Sequence, residues 1–202
     1  MKSMNFVMST AILMAMVMPA AFAQDTSTST TTPPPTIQDR KDNQQDRIAN
    51  GVQDGQLTAG ETKNLENKEA NINSEEHTMR TDDDGKLTAA DRTKLNNQQN
   101  KVSSDIYSDK HNATTAHYGN NEVGQRRQDQ QDRIANGIRS GQLTARETSN
   151  LENKEQGVNH EVAGMRQANG GKLTGADKTA VNQQQNHLSK QIYNKKHNAA
   201  AR

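Results

Sequence analysis

The apolar residues of this chain fall on helical spacings. Ile48 and Val52 stand four apart, Leu65, Ile72 and Met79 stand seven apart, and Leu95, Val102 and Ile106 combine both intervals. Glu, Lys, Gln and Asn fill the positions between. Strand alternation is absent, so the pattern is that of amphipathic helices with a narrow apolar stripe. The set returns as Ile134 and Ile138, then Leu151, Val158 and Met165, then Val181, Leu188 and Ile192.

That return is a tandem duplication. Arg40 to Asn112 aligns with Arg126 to Asn198 at a constant shift of 86 residues and without a gap. One inserted residue would turn a helix face by about 100°, so the gapless match keeps every residue on its side of its helix. Where the copies differ along the stripe, one aliphatic residue replaces another.

Helix starts are marked by a short motif. Gly55-Gln56-Leu57-Thr58 with Glu61 recurs as Gly141-Gln142-Leu143-Thr144 with Glu147, and a looser Gly-Lys-Leu-Thr-x-x-Asp spans 85–91 and 171–177. The glycine turns the chain and the leucine anchors it. The threonine accepts from the amide three residues on, and the acid reaches back, as in a capping box. Helices are expected near 40–53, 59–80, 89–110, 126–139, 145–166 and 175–197. The fold class is all-α: two tandem antiparallel three-helix units, 38–112 and 125–198, joined by a polar linker at 113–124. The thin stripe implies a marginal core, eked out by alanines and by the aliphatic stems of Lys and Arg.

Composition adds a location. Residues 1–23 carry Lys2, an apolar run and the small-residue end Ala21-Phe22-Ala23, the three parts of a secretory signal peptide. The apolar run is too short for a comfortable span and polar sequence follows, so no stable membrane insertion is expected once the signal is removed. Residues 24–37, rich in Ser, Thr and Pro, read as a disordered tether. There is no cysteine, hence neither a disulfide nor a lipidated cysteine. The signal takes with it Lys2, both phenylalanines and all methionines except Met79 and Met165. The mature chain then has 24 acidic residues against an equal number of basic ones, and three tyrosines as its aromatics. A balanced, mixed-sign surface with so few rings is not that of a nucleic-acid or anionic-membrane binder.

Candidate chemistry is sparse. The Gly-x-Leu-Thr-x-x-Glu segment looks like the second half of an EF-hand loop, with the acid in the closing position. The best copy is Thr81 to Gly85 closed by Asp91, making Asp82, Asp84 and Asp91 candidate calcium ligands. Arg80 stands where the leading aspartate belongs, and the second copy, Gln167 to Gly171, has no acid. A glycine turn followed by a capped helix accounts for the same residues. The six histidines lack a metal-binding spacing, though Tyr107 and His111, like Tyr193 and His197, share a helix face. No pattern places two carboxylates in an apolar pocket, so neither a shifted acid nor a dry cleft is expected. With no nucleophile, zinc or P-loop motif, and no cofactor signature, the expected class is not an enzyme.

Arg47-Ile48-Ala49-Asn50-Gly51, the Gly55 to Glu61 motif, Gln98-Gln99-Asn100, Ile106-Tyr107 and Lys110-His111-Asn112 together resemble a type of uncharacterised exported bacterial protein. There a helical unit of this length occurs singly or in tandem after a signal peptide. The resemblance implies a periplasmic or secreted location and a helical repeat; it transfers no functional residue. Three functions follow as expectations. The first is protein binding or structural self-association, with an unidentified protein or a second copy as partner. The second is a weak calcium or divalent-metal module, and the third a hydrophilic stress protectant.

Overall fold

The computed structural model describes residues 34–200, and its helices lie in one compact unit that begins at Pro35. The expected signal peptide, 1–23, and residues 24–33 of the expected tether lie outside the described residues. The helices are α1 (Ile37–Gln53), α2 (Ala59–Asp82), α3 (Ala89–Lys110), α4 (Glu122–Arg139), α5 (Ala145–Ala168) and α6 (Gly175–Lys196). The described residues contain no strand. None of these helices is long and apolar enough to cross a membrane.

Capping sets the boundaries. Thr58, Thr88, Thr144 and Thr174 each form a full capping box with the acid three residues on. Thr36 and Asp39 form a fifth, which starts α1 three residues earlier than the apolar spacing suggested. α4 starts inside the expected linker, because Asn121 Oδ1 accepts the Gly124 N–H at 3.1 Å. After α1 and α4 the chain reverses through Gly55 and Gly141, whose φ values of +67° and +70° lie in the left-handed region. The reversal drives Leu57 and Leu143 fully into the core. Gly51 and Gly137 make room for them, since a Cβ there would lie 2.7 Å and 2.6 Å from the leucine side chains.

Inside each repeat, polar side chains do what the thin stripe cannot. Gln44 Nε2 donates to the Gln99 carbonyl at 2.6 Å, and Gln130 repeats the bond to Gln185 at 2.8 Å. Gln99 and Gln185 donate in turn to the carbonyls of Ile37 and Val123, both at 2.9 Å. These buried amides tie the first helix of each repeat to the third. Each bond contributes on the order of 1 kcal/mol and fixes register as well.

The duplication left open whether the copies pack together or swing apart; they pack. Equivalent helices meet, α2 with α5 and α1 with α4, the arrangement of a two-fold pair made within one chain. Lys63 Nζ reaches Gln156 Oε1 at 2.9 Å and Ser149 Oγ reaches Asn67 Oδ1 at 2.7 Å, so α2 and α5 run antiparallel. Arg139 bridges to Asn50 and Gln53 at the ends of α4 and α1, both at 2.8 Å. One apolar cluster runs through both repeats, from Ile48, Leu65 and Leu95 to Ile134, Leu151 and Ile192. A second, smaller cluster of Val123, Val158, Val162 and Val181 belongs to the second repeat.

Candidate functional site

The α2–α5 contact is a polar seam. Glu66, Glu69 and Glu76 on α2 are buried, as are Glu152 and Glu155 on α5, with Glu66 and Glu152 fully so. This corrects the expectation that no carboxylates would be buried together. The missed signal was a second series, Glu66, Glu69, Asn73 and Glu76, at helical spacing beside the apolar stripe and repeated as Glu152, Glu155 and Asn159. Charge made those positions read as solvated faces; packing encloses them, Glu66 and Glu152 against Gln45 and Gln131 of their own repeats and near one another across the α2–α5 contact.

Gln45 Nε2 donates to Glu66 Oε2 at 3.1 Å, and Gln131 Nε2 to Glu152 Oε2 at 3.0 Å. Burial, and after it the charges of Glu155 and Glu66, push the Glu152 carboxyl well above the ordinary range against the Gln131 hydrogen bond. Burial pushes Glu155 up to about 7, opposed by the Arg127 guanidinium. Burial thus favours the neutral form of these two α5 carboxyls, which eases their mutual repulsion. Among the described residues no group of three or more His, Cys, Asp or Glu is placed to hold a metal ion.

At each end of the seam lies a groove, and the two grooves share equivalent walls. The first is lined by Thr58, Ala59, Asn159 and Arg127, and the linker Thr115–Tyr118 covers it, leaving about 170 Å³. The Ala116 N–H donates to the Gly55 carbonyl at 2.9 Å. The Arg127 guanidinium lies 5.3 Å from the Tyr118 ring centroid, within cation–π range. Burial, then the nearby Glu152 carboxyl, raises the Tyr118 hydroxyl well above its ordinary value. Gly124 lets the linker pass: a Cβ there would lie 2.0 Å from the Tyr118 carbonyl oxygen. The first repeat has Gln38 at that position.

The second groove is lined by Thr144, Ala145, Asn73 and Lys41, the counterparts of those four walls, together with Ala70, Ser74, His77 and Arg146. No segment of the described chain covers it, and its volume is about 480 Å³.

The calcium candidates are placed elsewhere. Asp82 ends α2, Asp84 follows in the exposed turn with φ +51°, and Asp91 lies in the first turn of α3. Asp91 Oδ2 accepts from the Thr88 N–H at 2.9 Å and hydroxyl at 2.6 Å, and these bonds hold its carboxyl below the usual range. In the second repeat Asn169 Nδ2 donates to the equivalent Asp177 at 2.9 Å. The Tyr107–His111 and Tyr193–His197 pairs stack with centroids 4.1 Å apart. Nδ1 of each histidine lies 2.7 Å from its tyrosine's carbonyl oxygen, closing the last helical turn.

Comparison with protein-family models, with curated proteins and with solved structures finds no match to this chain. Function has to be argued from the seam and its two grooves.

Proposed function

We propose that the chain is a non-enzymatic, periplasmic or secreted binding module that holds a partner polypeptide on the surface formed where its repeats meet. One observation carries this reading: a folded duplex with two equivalent grooves, of which one is covered by the linker and the other is covered by none of the described residues. The seam acids support it, since they lie enclosed between two helices instead of lining an accessible cleft. The buried carboxyls and the glutamines that donate to them stiffen the platform. The signal-like residues 1–23 support export.

The test is capture from bacterial envelope extract by the immobilised mature chain, with light scattering on the purified protein. A discrete partner, or a defined oligomer, is the expected result. A monomer that retains nothing above a control column would end the reading. Amino-terminal sequencing of protein recovered from the periplasm or medium checks the location, with Gln24 expected first.

A further inference from the structure

We propose that the groove between the middle of α2 and the start of α5 docks an extended, tyrosine-bearing segment of a partner protein, with acidic residues beside the tyrosine. The inference rests on the binding reading above and names what is bound.

The template is internal. In the covered groove the chain presents Thr115, Ala116, His117 and Tyr118, a stretch outside any helix, over Thr58 and Ala59. A main-chain bond to Gly55 sets the register and an aromatic anchor settles beside Arg127. The open groove repeats those fittings. Thr144 and Ala145 form the same floor, Asn73 answers Asn159, and Lys41 answers Arg127. Gly141 has the backbone conformation of Gly55, and among the described residues no backbone N–H donates to its carbonyl. An extended peptide can therefore find a main-chain acceptor, a small-residue floor and a cation for its ring. Main-chain bonds and an aromatic anchor are the usual basis of extended-peptide recognition.

The open groove also differs in charge. Arg146 stands where the first repeat has Gly60, and His77 lies exposed on the opposite wall. Lys41 is largely buried and paired with Glu76 at 3.0 Å. An incoming segment meets the Arg146 guanidinium at the rim, at the position that is a glycine, Gly60, in the first repeat. This complementarity favours an occupant with acids flanking its tyrosine.

Three labelled peptides test the idea against the mature chain by fluorescence anisotropy. One spans residues 112–120, one carries His117→Asp and Gly119→Asp, and the third adds Tyr118→Ala to the acidic peptide. The acidic tyrosine peptide is expected to bind tightest, with about tenfold weaker binding when the tyrosine is removed. Arg146→Glu should weaken the acidic peptide while sparing the neutral one. Ser74→Trp, at an exposed wall position, should block both. Equal binding of the tyrosine and alanine peptides would overturn the proposal, as would indifference to Ser74→Trp or no binding by any peptide at millimolar concentration. A peptide of residues 24–36 that binds and is blocked by Ser74→Trp would assign the groove to the chain's own tether and overturn it too. If no peptide binds while envelope extract still yields a partner, the occupant's chemistry is wrong and the binding reading survives.

Discussion

The two repeats share a fold and differ where a cation meets the seam. In the first, Lys41 and Arg80 both bond to Glu76, with N–O distances of 3.0 Å and 2.8 Å, and form a small ionic cluster. In the second, Val162 replaces Glu76 and joins Val123, Val158 and Val181 in an apolar cluster. Arg127, the counterpart of Lys41, then faces Glu155 and the Tyr118 ring. So the same backbone is closed at one end by ion pairs and at the other by valines and a captured linker. A duplication thus supplies two sites for one set of contacts; the short linker covers one, and none of the described residues covers the other.

The comparison can be broken hardest through what the halves have in common. Leu57→Ala and Leu143→Ala should each cost about 3 kcal/mol, because both leucines are fully buried in the shared cluster. Urea denaturation should show one transition in each variant, shifted alike. Two separated transitions would mean that the repeats fold independently.

The seam gives a pH dependence of similar size. Glu155 has its pKa raised from an ordinary 4.5 to about 7, so between those values the folded chain binds more protons than the unfolded one. Stability is fully present below about pH 4.5 and falls as pH rises through about 7, by about 3 kcal/mol in all. Glu152 adds to the fall in the same direction. Glu76 and Glu147 act oppositely: their lowered pKa values give stability that is present above the ordinary value and lost in acid. Melting temperatures from pH 4.5 to 8 check the sign, and Glu155→Gln should flatten the slope.

The ionic end can be made to imitate the apolar one. Glu76→Val should cost about 2 kcal/mol by leaving Lys41, only 14% exposed, without its carboxylate. Adding Lys41→Met should recover most of that loss, since a packed apolar pair often matches a buried ion pair. A double variant no more stable than the single one would show that the ion pair does more than fill its space. The smallest effect belongs to the caps. Thr58→Ala and Thr144→Ala should each cost about 1 kcal/mol, read in thermal melts. The Thr144 variant should also loosen Asn198, which donates to the cap acid Glu147 at 2.6 Å.

Much of the helical plan was legible because it depends on near neighbours. The threonine–acid spacing predicts where α2, α3, α5 and α6 begin, and the structure starts each at the residue after the threonine. The stripe residues Ile48, Leu65, Leu95 and their counterparts are buried, as their spacing implies. The reading of Asp91 as a cap acid was likewise local, resting on Thr88 three residues before it. The seam was not legible in this way. Glu66 and Glu152 carry the same charge as exposed glutamates, and nothing within a helical turn distinguishes them.

The sequence by itself determined the number of helices, their starts and the side of each that turns inward, because capping and periodicity act within a few residues. Tertiary structure decided that the duplicated units face one another, that their glutamates are enclosed and two of them, Glu152 and Glu155, are shifted toward the neutral form, and that the linker lies over one groove while none of the described residues covers its twin. Those outcomes depend on groups far apart in the chain, whose solvation changes only when two helices close over them.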